Sequence, residues 1–197
     1  MKKVIKLIIV IIILIIAIIL INYIRNTVIS NKIIMAGNDF FNSSNYHITI
    51  KTTMSDDYNV INEIYYKNDT CLINTYNNNK LTEIYWKNYL TEEKISYYPE
   101  TLHTMNEFNE ELITSLKDEL MLKGNSVPIF DFIAKKDNSY IIKNQYINHY
   151  FNKETGLLVK KEYYLEENYN TLNNISEYKF ELNTVTDEQV KNLKYNY

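Results

Sequence analysis

Histidine titrates near neutrality and ligates metals. The chain has three: His47, His103 and His149. They fall in different stretches, with no H-x-x-x-H or H-E-x-x-H spacing, so the pattern predicts no metal site. Cys71 is the single cysteine. It has no neighbouring base and no partner for an internal disulfide, and reads as a small buried strand residue. Three isolated glycines leave no phosphate-binding loop, and no serine stands in a G-x-S-x-G elbow. The acid pairs Asp56-Asp57, Glu92-Glu93, Glu110-Glu111 and Glu166-Glu167 are adjacent in sequence, so their side chains diverge instead of sharing a site. What remains for catalysis is a site assembled from distant residues, such as Glu63, His149 and Asp131. The expectation is a protein that is not an enzyme, holds no cofactor or metal, and acts by binding.

The elements that must position a binding site begin with Val4 to Ile21, an almost unbroken apolar run interrupted only by Lys6. A helix needs about 20 apolar residues to cross about 30 Å of hydrocarbon, and Val4 to Ile24 has that length if Lys6 snorkels to the interface. Lys2, Lys3 and Lys6 before the span, against Arg25 and Lys32 after it, predict a cytoplasmic N-terminus. The run ends Leu20-Ile21-Asn22-Tyr23-Ile24-Arg25, with no small-residue cleavage site and no lipidation cysteine, which favours an uncleaved anchor over a signal peptide. The reading is therefore a cytoplasmic stub and transmembrane anchor over residues 1–25, then one extracytoplasmic domain over 26–197. That domain holds all 24 acidic residues but only 17 of the 21 basic ones. It carries the wrong sign for binding nucleic acid or docking on anionic lipid.

Composition tempers other signals. The chain is rich in Asn, Ile, Lys and Tyr, so its 19 tyrosines and the N-x-S/T triplets at Asn42, Asn68 and Asn174 arise largely from bias. Thr27 to Asn42 places Ile29, Ile33, Ala36, Phe40 and Phe41 near one face of a helix, continuing the anchor with little linker. Tyr46 to Met54 alternates as a half-buried strand, and the runs Asn59–Lys67, Thr70–Tyr76, Lys80–Lys87 and Lys94–Tyr98 extend an antiparallel meander through Asn-rich turns. Leu102, Met105, Phe108, Leu112, Leu116 and Leu120 then step by three or four, predicting a helix over 102–122, followed by a short apolar segment, Val127 to Ala134. Strands resume at Tyr140–Lys143, Gln145–Asn152, Leu157–Glu166 and Asn174–Thr184. Thr186 to Gln189 resembles a capping box opening a short helix, Asp187 to Asn192. The predicted class is α+β: an N-terminal transmembrane helix, then a curled antiparallel sheet of nine or ten strands, a half-open β-barrel with plugging helices.

The block from Tyr150 to Leu193 runs Tyr-Phe-Asn-Lys-Glu-Thr-Gly-Leu-Leu-Val-Lys-Lys-Glu through Ile-Ser-Glu-Tyr-Lys-Phe-Glu-Leu-Asn-Thr-Val-Thr-Asp-Glu-Gln-Val-Lys. It resembles the end of the bacterial lipoprotein-carrier superfamily, the LolA-like half-barrel, and a helix followed by a strand opening on Asn45-Tyr46 is similar to that family's start. Within the superfamily the chain looks most like the GerS-related lipoproteins, which support spore germination by binding a cell-wall amidase. The resemblance implies a sheet wrapped around an apolar cavity that takes acyl chains. Strand alternation nominates Ile48, Ile50, Ile64, Tyr66, Ile84 and Trp86 as its lining, against the plainer reading that they fill a core. Two departures stand out. The carriers use a strand arginine to control opening, whereas the sole arginine here is Arg25; and the germination proteins are tethered by a lipidated cysteine, which a membrane helix would replace. The implied partners are the membrane, through one span, and a cell-wall enzyme or a lipoprotein or lipid, with no nucleic acid. Tyr97, Tyr98, Tyr163 and Tyr164 are candidate anchors for a protein partner.

Overall fold

The computed structural model describes residues 2–54, 58–120, 122, 133–144, 146–166 and 171–191. The first element, α1 (Lys2–Phe41), is one uninterrupted helix of 40 residues, about 60 Å long at 1.5 Å per residue. Its halves differ in surroundings. Val4 to Ile21 leaves nearly every apolar side chain bare, while Ile33 is fully buried and Ile29 and Phe40 nearly so. No other described helix is both long and apolar enough to cross a membrane.

Among the described residues eleven strands follow, interrupted once by a helix: β1 (Asn45–Met54), β2 (Asn59–Lys67), β3 (Thr70–Asn77), β4 (Lys80–Asn88), β5 (Lys94–Tyr98), β6 (His103–Met105), α2 (Glu110–Leu120), β7 (Ala134–Lys136), β8 (Ser139–Asn144), β9 (Ile147–Asn152), β10 (Leu158–Tyr164) and β11 (Leu172–Leu182). They form one antiparallel sheet in the order β6-β5-β4-β3-β2-β1-β11-β10-β9-β8-β7. The chain starts at the centre, steps outward to β6, crosses over through α2, and returns inward from β7. The sheet does not close, and both of its edge strands are three residues long, which limits edge-to-edge association. Turn chemistry follows the sequence. Asn68-Asp69 and Asn78-Asn79 take φ of 46–64°, as two-residue hairpin turns require, and Gly156 takes φ 76°.

One face of the sheet meets both helices. Ile48 pairs with Ile64, Ile64 with Ile73 and Ile73 with Tyr85, laying an apolar row across β1 to β4. That row shares a single core with Ile29, Ile33 and Phe40 of α1, Leu116 and Leu120 of α2, and Leu158, Phe151 and Ile142 on the other side. Eight strands laid flat would span about 34 Å at 4.8 Å spacing, and two helices only about 20 Å. For all to meet in one core, the sheet must curl around the helices. α1 approaches so closely that a Cβ on Gly37 would lie 2.8 Å from the Leu120 carbonyl oxygen, and one on Gly156 2.9 Å from Ala36 Cβ.

Contacts along α1 fix the direction of every strand. Arg25 donates to the Ile133 carbonyl at 2.5 Å, just before β7; Lys32 donates to the Lys153 carbonyl at 2.5 Å, just after β9; and the Phe40 ring meets Tyr46 and Phe180 at 5.0 Å each. The turns β1–β2, β3–β4, β5–β6, β8–β9 and β10–β11 therefore lie at the end nearer the bare half of α1, and the remaining turns at the far end.

On the opposite face the chain after β11 folds back across the sheet. Asn45 brackets Val185, accepting its N–H at 3.0 Å and donating to its carbonyl at 2.9 Å, and Trp86 Nε1 donates to the Val190 carbonyl at 2.9 Å. Val185 and Val190 thereby cover Leu72, Ile84 and Trp86.

Three sequence expectations are corrected. The helix predicted over 102–122 is confined to Glu110–Leu120, because Leu102 takes a left-handed φ of 53° that turns β5 into β6, and Asn109 Oδ1 caps α2 by accepting the Leu112 N–H at 3.2 Å. The sheet has eleven strands among the described residues; the short edges β6 and β7 are too brief to show a period. Gln189 accepts the Thr186 N–H at 2.8 Å as the capping box predicts, but 187–190 forms turns instead of a helix. Most of the Val127–Ala134 segment, Gln145, Asp131 and Asn192 lie outside the described residues.

The contact at Gly37 generates a direct test. Gly37→Ala should destabilise the full chain in detergent by about 2 kcal/mol, as overpacking against a backbone atom does, read as a lowered denaturation midpoint. An unchanged midpoint would show that α1 and α2 do not approach as described.

Candidate functional site

α2 sits over the inner face of the sheet and leaves a recess on either side. The first, about 360 Å³, is a groove lined by Phe41, Tyr46, Tyr66, Tyr89, Glu110, Ile113 and Lys117, among others. Cross-strand pairing builds its wall: Tyr46 on β1 faces Tyr66 on β2, and their rings stack at 4.8 Å and 11°. Phe41 meets Tyr46 edge-on at 5.7 Å, and Tyr89 lies 6.3 Å from Tyr66. Two cations flank these rings, Lys117 Nζ 6.0 Å from the Phe41 centroid and Lys87 Nζ 4.6 Å from that of Tyr89. Lys87 also pairs with Glu110 at the start of α2 and with Glu92 at 3.4 Å. Burial raises the pKa of Tyr46 and Tyr89 well above that of free tyrosine, so both rings present neutral hydroxyls. The groove opens at the far end of the domain, where α1 ends and β1 begins.

The second recess, about 180 Å³, is polar. Its floor includes a row of paired residues, Thr52 with Ser176 and Ser176 with Lys161, and the next residue in that row, His149 paired with Lys161, lies beyond the recess. Thr52 Oγ1 and Ser176 Oγ are 2.8 Å apart, and Asn62 Oδ1 accepts a bond from Thr75 at 2.9 Å. Lys161 is only 3% exposed and reaches Glu119 of α2 at 2.5 Å. His149, equally buried, is held neutral: burial first, then the Lys161 charge, lowers its pKa from 6.5 to about 4. The arrangement can hydrogen-bond a small polar group, but the two charges that could drive chemistry neutralise each other.

The sequence-predicted residues that are described have definite places. Ile48, Ile50, Ile64 and Tyr66 lie together on the helix-covered face, with Ile48 and Ile64 fully buried, Ile50 at the polar recess and Tyr66 in the aromatic groove. Ile84 and Trp86 do not join them; they lie on the opposite face beneath Val185 and Val190. Ile84 to Lys87 are four consecutive buried residues, so the pattern of β4 does not reveal which set faces the helices. Tyr85 takes the inner position. The tyrosine pairs split across the sheet: Tyr98 lies beside inner Tyr85 and Tyr97 packs on the outer cluster, while Tyr163 lines the polar recess and Tyr164 donates at 2.9 Å to Glu162. Burial would raise the Glu162 pKa, but hydrogen bonds from Lys160, Tyr150 and Tyr164 outweigh it and lower it to about 2. Glu63 accepts a bond from Tyr65 on the outer face, so it cannot meet His149.

The sequence reading placed Phe41 on the apolar face of the first helix and Tyr46 on the first strand without nominating either for a site, and Tyr89, Lys117 and the pair Lys161–Glu119 escaped it. An irregularity between Leu158 and Lys160 flips the alternation of β10, turning Lys161 inward where a strict period would turn it out. Among the described residues no three His, Cys, Asp or Glu side chains converge as metal ligands. No protein-family model and no curated protein matches the chain.

Neutral burial of His149 makes stability depend on pH. Its folded pKa lies below the unfolded one, so the unfolded chain binds the extra proton. The contribution is fully present above pH 6.5, falls as pH drops, and levels off below pH 4. The loss should reach roughly 3 kcal/mol. Denaturant midpoints of the full chain between pH 7 and 4 should show this slope, and His149→Gln should flatten it; a slope unchanged in the variant would refute the assignment.

Proposed function

We propose that this chain is a non-enzymatic binding module, fixed by α1 in the cell membrane with its N-terminus cytoplasmic, whose extracytoplasmic domain docks a protein partner of the cell envelope in the aromatic groove. The observation that carries the reading is the groove itself. Four aromatic rings from α1, β1, β2 and the β4–β5 turn, flanked by two lysines, open at the end of the domain farthest from the bare half of α1. Aromatic side chains partly desolvated in a pocket are the usual energetic centres of protein interfaces. The order of elements and the curled, unclosed sheet support the LolA-like resemblance, and with it a cell-wall amidase of spore germination as the kind of partner to seek.

Acyl-chain binding is the second reading. What favours it is the volume of the groove, about 360 Å³, within the range of small-molecule sites. Against it, Ile48, Ile64 and Ile73 behind the groove are fully buried and share one core with residues of both helices.

Photocrosslinking in intact cells separates the two. A photoreactive phenylalanine in place of Lys117 should capture a protein of discrete mass, and Tyr89→Ala should reduce that product about tenfold or more, as loss of an interface hot spot does. The same probe at Lys179, on an exposed outer position, should not capture it. Crosslinking to lipid alone at Lys117 would favour the acyl reading, and equal capture at both positions would refute a specific site.

A further inference from the structure

The exposed apolar side chains of the domain are unevenly placed. Met54 and Tyr58 flank the β1–β2 turn, Leu102 closes β5–β6, Tyr146 closes β8–β9, and Leu165 and Leu172 bound the β10–β11 connection; all six are between 38% and 77% exposed. Each belongs to the end nearer the bare half of α1. The far-end turns are polar, at Asn68-Asp69, Asp137-Asn138 and Lys153 to Thr155, with Leu90 and Leu182 the apolar exceptions, and at the near end Asn78-Asn79 of β3–β4 is the polar exception. Turn tips gain nothing in water from leucine at 62% or 77% exposure, so the asymmetry calls for an apolar surface at that end.

The domain reaches the level at which α1 becomes bare. Asn22 and Asn26 are 5% and 4% exposed, so protein packs along the helix as far as its apolar run. The strand lengths agree. From Phe180, beside Phe40, β11 runs back eight residues to Leu172, about 26 Å, and Phe40 to Asn22 is about 27 Å of helix.

We propose that these turns form a rim that rests in the lipid interface around α1, so that the domain stands on the bilayer with its aromatic groove facing away. This rests on reading α1 as the membrane anchor. The acidic balance of the domain sets the chemistry of the contact: apolar side chains entering a zwitterionic surface, not basic residues on anionic headgroups. Glu100, beside Leu102, is already paired with Lys80 at 2.7 Å and need not meet lipid unpaired.

The test uses the full chain in phosphatidylcholine nanodiscs, with a bimane label on single cysteines introduced as I12C, L102C, L165C, L172C and L90C. Cys71, 1% exposed, is out of reach of the label. Doxyl groups carried on lipid should quench the labels at 12, 102, 165 and 172 and leave the label at 90 unquenched but open to aqueous iodide. Quenching at 12, with 102, 165 and 172 behaving like 90, would overturn the rim while leaving the anchor intact. Absence of quenching at 12 would overturn both. Near-end labels shielded from iodide yet not quenched by lipid would mark a protein contact and also overturn the rim.

Discussion

Everything in this fold depends on α1 running as one uninterrupted helix from a bare apolar run into the domain core. An apolar helix that ends in a flexible linker leaves its domain free to tumble; this one carries its helical hydrogen bonding unbroken from the bare apolar run into the domain core. The transition is gradual. Asn22, Asn26, Ile29 and Ile33 are buried along one stripe, at helical spacing, while Ile21, Ile24 and Val28 between them remain bare. The rest of the domain is organised around that helix. The sheet begins and ends beside it, with β1 and β11 as central neighbours, and glycines at 37 and 156 admit α2 and the β9–β10 turn to contact distance.

That arrangement explains what the inner face offers. Both helices pack on the apolar row across β1 to β4, which is core, and the two recesses lie at the margins of α2. The two margins differ in character because the residues from the strands differ: aromatic where β1 and β2 begin and end at the far side, hydroxyl-bearing and charged across Thr52, Ser176 and Lys161. The buried Lys161–Glu119 pair fits a role in fixing where α2 rests better than one in stability, because buried ion pairs gain little over apolar packing.

Sequence carried much of this architecture. The apolar run, the continuation of its period through Phe40, and most strand limits could be read directly, since β2 and β5 occupy the predicted residues and the Asn-rich turns lie where the pattern places them. The failures have local causes. Four consecutive buried residues in β4 hid the register that sends Trp86 outward, and the irregularity in β10 hid the inward turn of Lys161. Leucine spacing over 102–120 satisfied a helical period although Leu102 belongs to a turn, because three residues of an edge strand carry no period of their own. The candidate groove was half legible: Tyr66 was nominated, but Phe41, Tyr89 and Lys117 come from a helix end, a turn and a second helix, and only the tertiary fold brings them together.

The claim that the anchor and the core share one uninterrupted helix is tested most directly by amide hydrogen exchange on the full chain in nanodiscs, resolved along α1. The account predicts continuous slow exchange from Ile21 through Phe40, with no break where the bilayer ends and the domain begins. A run of rapidly exchanging amides between Tyr23 and Ile29 would reveal a hinge there and contradict it, since the domain would then hang from the membrane instead of standing on it.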